Sequence, residues 1–134
     1  MLKQVSIYAE NNKGAMQDIL QILTDESINI LGSVTNDSAE YGIIRMVVSD
    51  PEKAKKALAD AGYLVRLTDV LGIELPDTPG SLNRMLKVIR EINVSVNYIY
   101  LAFNRDNAMP ILIVHTNDIR IVEKSLLARN YILH

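Results

Sequence analysis

Apolar residues recur along this chain at two periods, and the switches between them outline its elements. In KQVSIYA, residues 3–9, apolar and polar positions alternate, the signature of a half-buried strand. Met16, Ile19, Leu20 and Leu23 then fall at i, i+3, i+4 and i+7, one apolar stripe of a helix over residues 14–26. Alternation returns in INILGSVTN (28–36) and YGIIRMVVS (41–49), with the polar turn DSAE at 37–40 between them. Asp50 and Pro51 open a second helix and Gly62 stands just past its end. An aspartate can accept from free first-turn amides, proline wastes no amide at the first position, and glycine accepts a left-handed exit. YLVRL (63–67) closes the series as a strand.

The series then repeats. An offset of 66 residues places Ile7 on Ile73, Gly14 on Gly80, Leu20 on Leu86 and Val48 on Val114. Leu82, Met85, Leu86 and Ile89 reproduce the stripe of the first helix. Beyond residue 116 the offset becomes 68, aligning Leu58 with Leu126 and Tyr63 with Tyr131. The second series reads VLGIEL, a helix at 80–91, VSVNYIYLAF, AMPILIVH, a helix at 118–129, and YILH. Two tandem βαββαβ units, 1–68 and 69–134, are therefore expected, with only Thr68 and Asp69 between them. Right-handed crossovers make each an α+β, ferredoxin-like unit with both helices on one face. The second strand of such a unit is an edge, and an unpaired apolar edge such as VSVNYIYL invites aggregation. Pairing it with INILGSV predicts units side by side in one eight-stranded antiparallel sheet, four helices on one face.

Composition narrows the function classes. The 134 residues are 49% apolar, enough for a packed core rather than a disordered chain. Fourteen basic and 16 acidic residues leave no basic stripe for a nucleic acid. The absence of cysteine excludes disulfides, thiolate metal sites and thiol nucleophiles. No apolar run approaches the length of a membrane span, and the opening MLKQVSIYAENN lacks the apolar core of a signal peptide, so a cytoplasmic protein without membrane contact is expected. Neither a phosphate loop nor a Rossmann glycine pattern occurs. His115 and His134 lack a second ligand at metal spacing, and no histidine is placed to activate Ser81. Asp18, Asp25 and Glu26 fall on the polar side of the first helix, and Tyr98 and Tyr100 alternate with Val94 and Val96 as packing residues. The reading has no catalytic residue, no metal and no cofactor: not an enzyme.

What remains is the stretch before each first helix. Thr78-Pro79-Gly80 occupies the place of Asn12-Lys13-Gly14. Thr78 suits a cap, Pro79 a first turn, and Gly80 a close approach to the backbone. Such a stretch is either a tight turn or a backbone cradle for an anion at free helix amides. NNKGAMQDILQILTDESINI (11–30) and DTPGSLNRMLKVIREINVSV (77–96) resemble the ACT domain, an amino-acid-sensing module of enzymes in amino-acid metabolism. The resemblance covers essentially the whole chain as two modules, with Lys13 where the family pattern has proline.

The resemblance implies a ligand where the loop after the first strand of one module faces the second strand of the other. The polar residues three before each glycine are Asn11 and Asp77; those opening each second strand are Asn29 and Ser95. One implied site is Asn11, Asn12, Lys13, Gly14 and Ala15 facing Ser95 to Asn97. The reciprocal site is Asp77, Pro79, Gly80 and Ser81 facing Asn29 to Leu31. An amide donates to a carboxylate and accepts from an ammonium, whereas Asp77 repels a carboxylate, so the first loop ranks ahead. The function implied is a stand-alone regulatory protein that binds a small amino acid and signals to a regulated enzyme. A homodimer is expected, because GIIRMVV and ILIV leave apolar residues on the face without helices. The alternative is a structural or oligomerisation module without a ligand.

Overall fold

The computed structural model describes residues 1–10, 12–36 and 41–134. Asn11, an expected ligand residue, and the expected turn at 37–40 lie outside the described residues. The elements follow the order β1 (Leu2–Glu10), α1 (Ala15–Asp25), β2 (Ile30–Asn36), β3 (Tyr41–Val48), α2 (Pro51–Asp60), β4 (Leu64–Ile73), α3 (Ser81–Glu91), β5 (Tyr98–Phe103), β6 (Pro110–His115) and α4 (Ile119–Ala128). They form two compact units: Lys3–Thr68, and Asp69–His134 together with Met1 and Leu2.

Among the described residues six strands replace the expected eight, and two local causes account for the difference. Thr68 and Asp69 do not interrupt the chain, so the last strand of the first unit and the first strand of the second are one strand, β4. Neither residue is a glycine or proline, and β-branched Thr68 suits extended backbone. YILH, expected as the closing strand, makes a single bridge, Ile73 to Leu133. It is held by the amide of His134 on the Gly72 carbonyl at 2.7 Å and the amide of Glu74 on the Ile132 carbonyl at 3.0 Å.

In the first unit the strand order is β2-β3-β1-β4; β3 is antiparallel to β1, with Ile7 opposite Ile44, and to β2, with Ser33 opposite Met46. In the second it is β4-β6-β5, with Leu71 opposite Val114 and Leu101 opposite Leu112. Among the described residues β2 and β5 are thus edges, each with one neighbour inside its own unit.

Each unit carries its two helices on one face. Val5, Ile7, Ile44, Met46 and Val65 meet Ile19 and Leu23 of α1 and Ala54 and Leu58 of α2. In the second unit Leu71, Ile73, Leu112 and Val114 meet Met85 and Ile89 of α3 and Val122 and Leu126 of α4. The apolar stripes are shorter than the periodicity suggests. Met16 and Leu82, equivalent positions in the repeat, are 36% and 38% exposed. Both stand in the first helical turn, before the helix reaches the sheet.

The opposite strand face departs from expectation too. Val70, Tyr100, Ala102, Ile111 and Ile113 point away from the helices, yet they are buried, as are Gln4, Ser6 and Val47 in the first unit. The wet apolar face that motivated a dimer is not present at these positions.

All four helices end alike. Ser27, Gly62, Asn93 and Asn130 have φ between 56° and 95°, and the next amide in each case reaches back to the helix: Ile28 to Leu23, Tyr63 to Leu58, Val94 to Ile89 and Tyr131 to Leu126. This left-handed exit satisfies carbonyls that the helix leaves open. Among the described residues no helix is long and apolar enough to cross a membrane, which leaves β-barrels unaddressed.

Candidate functional site

The two helix starts are built the same way, but not as the sequence suggests. The residue entering α1 is Gly14 (φ 84°, ψ −5°) and that entering α3 is Gly80 (φ 86°, ψ −3°), and neither helix has a side-chain cap. Thr78, expected to cap, pairs its hydroxyl with that of Ser81 at 2.8 Å. Pro79 lies before the helix rather than in its first turn. The amide of Ala15 donates to the Asn12 carbonyl and that of Asp18 to the Gly14 carbonyl. In α3 the Ser81 amide reaches the Thr78 carbonyl and the Arg84 amide the Gly80 carbonyl. The amides between, at Met16 and Gln17 and at Leu82 and Asn83, are those for which a helix supplies no partner. They carry the positive end of the helix dipole.

In the first unit a cavity of about 430 Å³ lies against this turn. Asn12, Lys13 and Ala15 line it from the loop, Tyr8 and Glu10 from the end of β1, and Tyr63 from the turn after α2. Asn12 Nδ2 donates to Glu10 Oε2 at 3.0 Å, so its amide is turned toward a carboxylate. Asn29 and Leu31 do not line this cavity. The backbone of Asn29 is fixed at the end of β3, its amide on Ser49 Oγ and its carbonyl accepting from the Ser49 amide, both at 2.9 Å. Leu31 falls in a register shift, since Ile30 pairs with Val48 and Gly32 already with Val47. That irregularity is a β-bulge, a device that re-aims side chains at an edge.

In the second unit a cavity of about 410 Å³ is lined by Thr78, Gly80, Ser81, Leu82 and Leu86. Of the residues expected on the second loop, Gly80 and Ser81 line it and Asp77 and Pro79 do not. Ser95 and Asn97 are exposed, and the Asn97 amide is held by the His115 carbonyl at 2.9 Å. Sequence reasoning passed over Arg84. Its Nη2 donates to the Ser81 hydroxyl at 3.2 Å, and its Nη1 would lie 3.1 Å from a Cβ placed on Gly80. A guanidinium therefore stands over the second helix start, where the repeat gives Asp18 in the first unit. The signal was the i+4 spacing from Gly80, which puts that side chain one helical turn above the glycine.

Among the described residues no group of three or more acidic or histidine side chains is placed to hold a metal. Tyr98 and His115, cross-strand neighbours, stack at 4.8 Å and 7° between planes, a packing contact as expected for this tyrosine.

A duplicated βαββα arrangement of this length, with matched glycine entries, has a counterpart among known families. The family described as the ACT domain pair matches residues 1–132. The chain belongs to this family. The ACT pair is similar to protein BT0572 from Bacteroides thetaiotaomicron, with 32% identity and a TM-score of 0.90 over 99% of this chain and 91% of that one. It shares its fold with the ligand-free regulatory subunit of aspartate kinase from Thermus thermophilus, at 14% identity and a TM-score of 0.64, covering 94% and 91% of the two chains. The same subunit from Thermus flavus gives 17% identity and a TM-score of 0.54, covering 94% of each. Among curated proteins no match is found for this ACT pair.

Proposed function

We propose that this ACT domain pair is a non-catalytic regulatory module that binds a small amino acid at its helix starts and passes occupancy to a partner. The observation that supports this most is the recurrence of one geometry in both units: a left-handed glycine entering an uncapped helix beside a cavity. The carboxylate of the ligand would meet the first-turn amides, where the dipole favours negative charge. In the second unit Arg84 adds a guanidinium, and Leu82 and Leu86 offer an apolar wall for the side chain. In the first unit Lys13 supplies the positive charge, with Asn12 and Glu10 as acceptors for an ammonium. Arg84 offsets the charge that Asp77 brings, so the second helix start is proposed as the stronger of the two.

The partner is proposed to be a second copy of the chain, with a regulated enzyme as the recipient of the signal. Leu101 and Phe103, on the free edge strand β5, and the nearby Met109 are all more than half exposed. The structurally related regulatory subunits of aspartate kinase make an enzyme recipient a natural reading.

A thermal-shift screen of the twenty amino acids tests the proposal. At least one should raise the melting temperature of the wild type, and Arg84→Ala and Gly80→Val should each reduce the shift. If none shifts the wild type at high millimolar concentration, the sensor reading fails and a structural module takes its place.

A further inference from the structure

The second unit holds another cavity, of about 410 Å³, between the end of β4 and the turn after α4. Glu74, Leu75 and Pro76 form one side of it, and Arg129, Tyr131 and Ile132 the other. It shares no lining residue with the cavity at Gly80, so nothing in it depends on the helix-start reading. The repeat shows which part of it the fold demands. In the first unit the corresponding strand end and turn, Tyr8 to Glu10 with Gly62 and Tyr63, line the cavity that also meets the helix start at Asn12, Lys13 and Ala15. The left-handed residue and the following tyrosine recur, Gly62-Tyr63 as Asn130-Tyr131. Leu64 and Ile132, which follow them, are both more than half exposed. Yet the places of Glu74 and Arg129 are taken by Tyr8 and Ala61. The hollow comes with the fold; the two opposite charges do not.

Those charges are held apart. Arg129 donates from Nη1 to the Ser125 carbonyl at 3.2 Å and from Nη2 to Glu91 at 3.4 Å. Glu74 Oε1 lies 2.9 Å from Nε2 of His134. Among the described residues the two are not paired with each other, although both line one cavity. A guanidinium has five donors, so Arg129 keeps donors beyond these two bonds, and Glu74 keeps its second oxygen. Between them the lining is Leu75, Pro76, Ile132 and the ring of Tyr131, with Asn130 an uncharged polar side chain beside them.

We infer that this cavity is a second small-molecule site, for a zwitterion with an apolar side chain. Arg129 takes the carboxylate and Glu74 the ammonium, while the apolar lining covers the side chain. A simple anion would face the Glu74 carboxylate, and a simple cation the Arg129 guanidinium, so a ligand carrying both charges fits where neither alone does.

Isothermal titration of the full chain with valine, leucine, methionine and phenylalanine tests it, with isocaproate and isoamylamine as leucine analogues lacking one charge. At least one amino acid should bind to the Arg84→Ala variant, in which the helix-start site of the second unit is disabled. In that background Arg129→Gln and Glu74→Gln should each weaken binding by roughly tenfold or more. Ile132→Trp fills the cavity from an exposed position and should abolish binding while leaving the melting temperature near that of the parent. The single-charge analogues should bind at least about tenfold more weakly than leucine. Absence of binding by all four amino acids in the Arg84→Ala background overturns the inference, and so does binding unchanged by Arg129→Gln or by Ile132→Trp. Loss of binding with Arg84→Ala alone, in a protein whose wild type binds, sinks this site and leaves the helix-start reading standing.

Discussion

Gly14 and Gly80 superpose in backbone conformation, φ 84° against 86° and ψ −5° against −3°, although few residues around them are identical. A left-handed residue with a Cβ costs roughly 1–2 kcal/mol, so the two glycines are fixed by the turn they make. Gly14→Ala and Gly80→Ala should each lower stability by that amount in urea unfolding. The two costs should be similar, because nothing lies within 4 Å of a methyl at Gly14 and the atom met at Gly80, Arg84 Nη1 at 3.1 Å, is the end of a flexible side chain. Equal midpoints for both variants and the wild type would show that the turn relaxes freely.

The second helices of the two units differ in their caps. Asp50 Oδ1 accepts from the Lys53 amide at 3.2 Å, while Asp118, its counterpart at the head of α4, makes no side-chain cap bond. Asp50→Ala should therefore cost about 1 kcal/mol. Asp118→Ala should cost clearly less, and a larger loss at Asp118 would contradict the assignment of caps.

Ser27 ends α1 at φ 56°, a conformation that suits glycine better than serine. Ser27→Gly should raise stability by up to about 1 kcal/mol, the relief of left-handed strain less the added freedom of the unfolded chain. Asn93→Gly should gain less, because asparagine tolerates this region. Chemical denaturation with an unchanged m-value is the measurement, and a loss of stability for Ser27→Gly would overturn it.

Leu58 and Leu126, equivalent in the repeat, are fully buried in their respective cores, and Leu101 is 68% exposed. Leu58→Ala and Leu126→Ala should cost roughly 2–5 kcal/mol each. Leu101→Ala should stay within about 0.5 kcal/mol in the isolated chain. If Leu101→Ala instead lowers the melting temperature in a concentration-dependent way, the edge at β5 is covered by a second copy, and light scattering should then report a dimer.

The repeat, the four helices and the cap at Asp50 were legible because each leaves a side-chain signature: a 3.6-residue period, a proline, an aspartate. The edges of the elements were less so. Nothing in Thr68-Asp69 marks a break, and the ferredoxin-like pattern suggested one where the strand simply continues. YILH has the composition of a strand but finds room for only one bridge. The cap expected of Thr78 at α3 is missing, because its hydroxyl is drawn to Ser81 instead. At the candidate sites the glycine turns could be read, because a left-handed backbone selects its residue. Arg84 had a signal in its i+4 spacing from Gly80, but Arg129 had none, since a surface arginine acquires meaning only from what stands beside it. Tyr63 and Tyr131 were aligned by the repeat, but no periodicity reveals that a hollow lies under them.

The undivided strand β4 also governs how the molecule comes apart. Units joined by a flexible linker melt at their own temperatures, because neither loses anything when the other unfolds. Here Leu64–Ile73 is one uninterrupted strand with the boundary of the two units inside it, so no flexible linker separates them. The duplication that is so plain in the sequence should accordingly be invisible in a calorimeter. One heat-absorption peak should appear, with van't Hoff and calorimetric enthalpies equal, and it should split in two only when a proline at Asp69 cuts the shared strand.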